Sequence, residues 1–315
     1  MALIGPGSVA EAHARALARI REDDRSAPLA LRAVVGADQE QTEAFARRHG
    51  AAVATTQLDE VLDDPQVAAV VVCSPSALHA EHAGRSLRAG KHVLCEIPLA
   101  MSLADTDHLI ALAASMDRRL MVCHTQRYWP SSREARRRAR SGALDATAVV
   151  GRFMFHRHAN VDWQGHPRDW TDDLLWHHAC HAVDLALWIL DADGGTVTAH
   201  VAAPQGPLHI PMDLTLSLRT PANQLVTAVL SYNSHHRVHD YVVVGRQDTL
   251  VVTEHRLEGR QGPLPLPHGD PVRQQDAEFF AAVRLGREPA VSARSVRPAM
   301  RVLQAAQDDG QRATS

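Results

Sequence analysis

The stretch DDLLWHHACHAVDL, Asp172 to Leu185, carries three imidazoles and a carboxylate between His177 and Asp184. On an α-helix, residues four apart share a face, so His177 and His181 point the same way, with His178 beside them. Asp184, three residues past His181, is placed to orient an imidazole. An imidazole titrates close to neutrality, and a pair of them can take the proton of a reacting hydroxyl as general base. The HHxxH spacing also suits zinc. No further ligand is placed by spacing, so no metal site is expected. Packing of the histidines in a core is the remaining alternative.

A second segment that bears on chemistry is CEIPLA, Cys95 to Ala100, where a carboxylate and a proline follow the apolar run HVLC. A third is GPGSVA, Gly5 to Ala10, which matches GxGxxA between an apolar run and a helical pattern. In that context Gly5 permits the tight turn and Gly7 lets backbone approach a pyrophosphate, with Ser8 and Val9 opening the helix. Ala10 allows close packing of helix on strand. A plain glycine turn is the alternative. Beyond the next apolar run, AVVGADQE offers Gly36 and Ala37 at the tip and then Asp38. Asp38 would hold ribose hydroxyls and favour NAD if it turned inward, and otherwise serves as the N-cap of the helix QEQTEAF. The choice of NAD or NADP stays open on these residues.

The elements that must position these groups follow from the pattern of the chain. Apolar runs (MALI, LALRAVV, VAAVVVC, HVLCE, LMVC) alternate with helical segments over residues 1–123. Runs without polar alternation are strands buried on both faces, which implies a parallel sheet covered by helices. Four residues precede Gly5, so the first strand is short. From residue 124 to 315 the texture changes to a basic helix from about 129 to 141, a helix from about Asp172 to Leu190, and strand-like runs separated by turns. These read as an α+β domain on an open, mostly antiparallel sheet, closed by two helices after the loop GPLPLPHGDP. The fold class is therefore α/β, a doubly wound parallel sheet followed by an α+β domain. The composition, 45% hydrophobic and 22% charged with a net charge of -3, is that of a soluble globular chain and gives no footprint for nucleic acid or membrane. SSREARRRAR, Ser131 to Arg140, reads as a solvated helix face. Cys73, Cys95, Cys123 and Cys180 lack CxxC spacing, and no export or spanning segment is seen, so a reducing cytoplasm is the expected location. The single lysine is Lys91, since 32 of the 33 basic residues are arginine.

GPGSVA, CSPSALHAEHA, AGKHVLCEIPLA and HAVDLALWIL together resemble the Gfo/Idh/MocA oxidoreductases over nearly the whole chain. The resemblance implies an N-terminal Rossmann domain, a C-terminal sheet domain and a nicotinamide cofactor, with NADP slightly ahead of NAD. It implies cofactor contacts from Cys73, Ser74, Pro75 and His79 and a meeting of Glu96 with the nicotinamide ribose. Pro98 would shape the turn, with a cis Ile97–Pro98 bond. Ile97 occupies the place of the family's lysine, and Lys91 lies roughly 20 Å back along an extended strand, too far to replace it. His181 keeps the family's histidine place, and His177 stands where an acid is common. EIPLA, CHTQRYWPS, HPRDWTDDLLWHHACHAVDL and PMDLTLSL resemble a branch of the family whose reaction is oxidation of the cyclic hemiacetal of a ring-cleavage semialdehyde to a pyrone dicarboxylate.

A hemiacetal hydroxyl is more acidic than a sugar hydroxyl, so an imidazole base suffices without an ammonium. Ile97 would then keep water from the nicotinamide. A dicarboxylate calls for cations, and Arg127, Arg157 and Arg168 sit on segments that converge in the family fold, with His124, Thr125 and His178 as further substrate contacts. For each arginine a structural ion pair is the alternative. A homodimer or higher homo-oligomer follows from the likeness, and no nucleic-acid or membrane partner is expected. The competing readings are a sugar or cyclitol dehydrogenase or reductase of the same family, and a catalytically degenerate NAD(P)-binding regulator.

Overall fold

In the computed structural model the described residues are 1–23, 29–161, 165, 167–168, 170–172 and 174–314, with side chains described to 310. The chain divides into two units, residues 1–123 with 270–296, and residues 124–269 with 297–315.

The first unit is built on six parallel strands: β1 (Ala2–Ile4), β2 (Ala33–Val35), β3 (Val53–Thr55), β4 (Ala69–Val72), β5 (His92–Cys95) and β6 (Leu120–Val122). Their order is β3-β2-β1-β4-β5-β6, which is the doubly wound arrangement that binds dinucleotides where the order reverses. Every residue of β1, β2, β4 and β6 is buried, as runs without polar alternation require. The connecting helices are α1 (Ser8–Asp23), α2 (Gln39–His49), α3 (Leu58–Leu62), α4 (His79–Arg88) and α5 (Leu103–Ser115). Ala10, His13, Ala14 and Leu17 form the buried stripe of α1, spaced at three and four residues.

The second unit opens with a 3₁₀ turn at Thr125–Tyr128 and α6 (Pro130–Arg140). Glu134 of α6 accepts from Arg137 and Arg138, and these two guanidiniums, with Arg137 first, hold its carboxyl down at about 2. The basic run thus lies on a helix and is satisfied in part from within it. The sheet of this unit comprises β7 (Ala146–His156), β8 (Thr196–Val201), β11 (Asp213–Arg219), β12 (Leu225–Ser231), β13 (Asn233–Gly245), β14 (Thr249–Val252), β15 (Leu257–Gly259) and β16 (Gly262–Pro263). The hairpin β9 (Pro204–Gln205) and β10 (Ile210–Pro211) stands apart from it. The order is β16-β15-β14-β13-β7-β12-β11-β8, antiparallel except for β7 beside β12. Leu214, Leu216 and Leu218 of β11 and Val226, Ala228 and Leu230 of β12 are buried at alternate positions. One face of the sheet is therefore core, and α7 (Cys180–Leu190) packs on it against β7 and β12.

Two expectations are corrected. The helix placed from Asp172 to Leu190 is not one α-helix: Leu174–Ala179 form a π-helix that runs into α7. Its hydrogen bonds reach five residues instead of four, so His177 and His181 do not stand in simple α register. The segment from residue 270, placed with the second domain, belongs to the first unit. There α8 (Pro271–Leu285) packs on α1, and Val122 donates its amide to the carbonyl of Val291. The remaining helix is α9 (Ala293–Thr314). No helix among the described residues is long and apolar enough to cross a membrane.

Gly5 carries the turn out of β1 with φ at +96°, and a Cβ there would lie 2.7 Å from the backbone of Cys73 and Ser74. Strain and collision act together, so Gly5→Ala is expected to cost at least about 2 kcal/mol, read as a lowered midpoint in urea. An unchanged midpoint would refute this account of the turn.

Candidate functional site

The dinucleotide side of the first unit is a cradle of backbone. A Cβ on Gly7 would meet nothing within 4 Å, leaving open space at the N-terminus of α1. Beside it Ser8 is half-buried and Val9, an apolar residue, is 38% exposed. The start of a helix, with its N–H groups facing open space at a glycine, suits a pyrophosphate. The residues present therefore suit the group that the motif implies.

Several other positions expected to meet the cofactor are engaged within the protein. A Cβ on Gly36 would fall 2.1 Å from Thr42 Oγ1 and 2.9 Å from Pro6 Cγ, so Gly36 is there for packing. Ala37 is exposed. The Asp38 side chain accepts from the amide of Gln41 at 2.8 Å and caps α2, the alternative reading of that residue. His79 is buried, with Nδ1 2.7 Å from the carbonyl of Pro98 and Nε2 2.7 Å from that of Ser74. This corrects the expectation of a cofactor contact: the ring fastens the loop after β4 to the turn after β5. Cys73 and Pro75 are half-buried, whereas Ser74 is buried. The Ile97–Pro98 bond is cis, and both side chains are buried. Glu96 keeps 19% of its side chain exposed, with Oε2 3.2 Å from the amide of Ile97 and Oε1 3.0 Å from His13 Nε2. Lys91 is buried and donates to the carbonyl of Asp64 at 2.8 Å, at the opposite end of β5.

The second unit gathers five histidines. His124 and His181 meet edge to face at 5.7 Å, His177 and His178 at 4.6 Å. His178 lies 4.2 Å from the ring of Phe153, which His239 also meets, at 4.5 Å. Burial, and then the neighbouring His124, His177 and His239, push His181 well below the ordinary histidine value. Burial and then His177, His181, Arg157 and His239 do the same to His178. Burial, with Arg237 next, brings His239 down to about 4. His178, His181 and His239 are therefore held neutral. Hydrogen bonds set some tautomers: Gln126 donates to His239 Nε2 at 3.2 Å, and the Tyr232 hydroxyl lies 2.5 Å from His178 Nδ1 while accepting from Arg157. The buried Nδ1 of His181 has no hydrogen-bond partner among the described residues.

Asp184 does not orient His181. Its carboxylate accepts from Arg127 Nε at 2.7 Å and Nη2 at 2.5 Å, and lies 3.2 Å from His124 Nδ1. Arg127 is buried with it, so the substrate contact expected of Arg127 is replaced by an internal bidentate pair. Thr125 is half-buried on the 3₁₀ turn between them. Arg157 and Arg168 converge on Asp172, at 3.8 and 3.0 Å, with His177 Nδ1 3.6 Å from the same carboxylate. Arg168 also lies over the Trp170 ring at 4.4 Å.

Several of these groups were not singled out in the sequence: Asp172, Tyr232, Gln126, His239, His13 and Asp276. Asp172 had a local signal, five residues before His177 on a segment already of interest. Gln126 had one as well, standing between Thr125 and Arg127, whereas Tyr232, His239, His13 and Asp276 come from other segments and had none. One set among the described residues has the spacing of a metal site, His13 Nε2, Glu96 Oε1 and Cys123 Sγ, within 4.8 Å of one another.

A model of the oxidoreductase family with NAD-binding Rossmann fold, Gfo/Idh/MocA, matches residues 1–124, and one of bacterial oxidoreductases, C-terminal, matches residues 130–263. A 4-carboxy-2-hydroxymuconate-6-semialdehyde dehydrogenase from Sphingobium is 33% identical over 96% of this chain and 96% of its own length. The levoglucosan dehydrogenase of Pseudarthrobacter phenanthrenivorans is 26% identical over 82% of this chain and 74% of its own. A levoglucosan dehydrogenase solved in complex with NADH superposes with a TM-score of 0.86 at 19% identity, over 99% of this chain and 96% of its own, a likeness of fold.

With both groups buried, removing one leaves the other charge uncompensated. Arg127→Leu is expected to destabilise by about 3–5 kcal/mol in chemical denaturation. A variant of wild-type stability with altered preference among carboxylate substrates would return Arg127 to the binding surface.

Proposed function

Since the chain belongs to the Gfo/Idh/MocA family of NAD-binding oxidoreductases, we propose that it oxidises the cyclic hemiacetal of 4-carboxy-2-hydroxymuconate-6-semialdehyde, or a close ring-cleavage product, to a pyrone dicarboxylate. The observation that carries this reading is His181, a histidine held neutral whose buried Nδ1 nothing else among the described residues satisfies. Such a ring is ready to accept the hemiacetal hydroxyl proton. A bound nicotinamide would supply the hydride acceptor for the carbon that bears this hydroxyl, so that loss of one proton and one hydride would leave a lactone carbonyl.

The other residues have defined work. Gly7 and the start of α1 hold the pyrophosphate, and Glu96 meets the ribose. Ile97 puts hydrocarbon where the family resemblance expects an ammonium, which an acidic hemiacetal hydroxyl does not require. Two guanidiniums, Arg157 and Arg168, share the single carboxylate of Asp172. Among the described residues this pairing leaves guanidinium N–H groups that suit a carboxylate of the substrate. His178, accepting at Nδ1, presents its Nε2–H as a neutral donor. Oxidation of a sugar or cyclitol is the second reading, favoured by the similarity to levoglucosan dehydrogenase and to an inositol 2-dehydrogenase of Acidothermus cellulolyticus, 28% identical over 79% of this chain. The isoleucine at position 97 counts against it.

Steady-state assays with NAD and NADP should show pyrone formation from the semialdehyde and little turnover of sugars, and equal turnover of a cyclitol would defeat the substrate assignment. His181→Ala should lower kcat by about two to four orders of magnitude. A base works unprotonated, and a depressed pKa keeps it so in more acid solution. The kcat of the wild type is therefore expected to stay flat from about pH 8 down to about pH 6.5, the unperturbed histidine value, and to fall only below it. A midpoint above that value would reassign the base.

A further inference from the structure

We propose that His13 and Asp276 are positioning residues for Glu96: the imidazole, clamped between two carboxylates, fixes the orientation in which Glu96 meets the ribose of the dinucleotide. This rests on the cofactor role of Glu96 given above. His13 is 2% exposed on the inner face of α1, six residues after Gly7. Its Nδ1 lies 2.8 Å from Asp276 Oδ2, on α8, and its Nε2 lies 3.0 Å from Glu96 Oε1, at the end of β5. A neutral imidazole has one N–H and cannot donate to both. The arrangement therefore needs an imidazolium between two carboxylates, or a proton on one of them.

Burial opposes the cation, but Asp276 and then Glu96 outweigh it and raise His13 to about 10. Burial pushes the Glu96 carboxyl up, and His13 overcomes this and brings it below its ordinary value. For Asp276 burial wins and the shift is upward. Of the two carboxyls, Glu96 is the more exposed, its side chain 19% exposed against 2% for Asp276. The Ile97 amide takes the other Glu96 oxygen, so both are held while an edge stays open. Among the described residues, the polar groups that bear on the trio support it or are neutral. Gln275 donates to Asp276 Oδ1, His79 lowers Glu96, and burial together with the nearby acids keeps the thiols of Cys73, Cys95 and Cys123 protonated. Cys123 Sγ lies 4.0 Å from His13 Nε2. A metal bound by His13, Glu96 and Cys123 would require Nε2 to give up its proton, whereas the imidazolium supplies the positive charge by itself.

The test combines ring ¹⁵N NMR of His13 with NADH binding followed by fluorescence, in the wild-type protein and in Asp276→Asn, a near-isosteric change that removes one charge. In the wild type both ring nitrogens should stay protonated from about pH 6 to about pH 9, and the Kd for NADH should change less than about twofold over that range. In Asp276→Asn the ring should titrate within the range, and the Kd should rise by about tenfold between its ends, the size of one charge-assisted hydrogen bond. A neutral His13 ring at pH about 7 in the wild type would overturn the proposal, and this arm needs no variant to fold. So would a chelator that changes the His13 spectrum or the wild-type Kd. Wild-type protein that binds NADH, beside a variant with the same flat profile, would remove the positioning role and leave the cofactor site standing. Wild-type protein that does not bind NADH would take down the cofactor reading itself.

Discussion

A carboxylate in a protein interior is tolerated only when cations and hydrogen bonds replace the water it has lost, and the second unit is organised around two that meet this condition. Asp184 is held by both arms of Arg127 and faces His124, which turns the edge of its own ring toward His181. Asp172 gathers Arg157, Arg168 and the ring of His177. Among the described residues the two acids meet His124 and His177, and neither meets His181. The result is a His181 ring that burial and the neighbouring imidazoles hold neutral.

The π-helix at Leu174–Ala179 gives this arrangement its geometry. Inserting one residue per turn changes the direction of side chains relative to an α-helix, and such insertions recur at functional sites. On this segment the ring planes of His177 and His178 stand 78° apart. His177 faces Asp172 while His178 takes the hydroxyl of Tyr232. Leu174, Leu175 and Trp176 are buried and anchor the segment, the indole donating to Gln307 at 2.6 Å.

What could be read from the chain was whatever repeats locally. Buried strands of Val, Ala and Leu separated by helical stripes announce the parallel sheet, and GPGSVA announces the cradle in front of α1. Alternation in MDLTLSLR and QLVTAVLSY announces a sheet with one covered face. His181 was visible through its spacing and its context. The roles of Arg127 and Asp184 were not, because their meeting depends on a contact across 57 positions, and either residue alone is equally consistent with a ligand or a structural ion. The partnership of His13 with Asp276 spans 263 positions and has no local sign at all. The π-helix likewise leaves no mark on a hydrophobic pattern that an α-helix satisfies almost as well.

The scarcity of lysine has a bearing on handling the protein. Its one ε-amine is buried against the carbonyl of Asp64, and burial depresses its basicity before Asp64 and Asp63 restore part of it. Arginine carries nearly all the remaining positive charge and does not react with acylating or aldehyde reagents under mild conditions. Amine-directed dyes, crosslinkers and surface couplings therefore find the α-amino group as their principal target, and a lysine introduced at a chosen exposed site would become an almost unique chemical address.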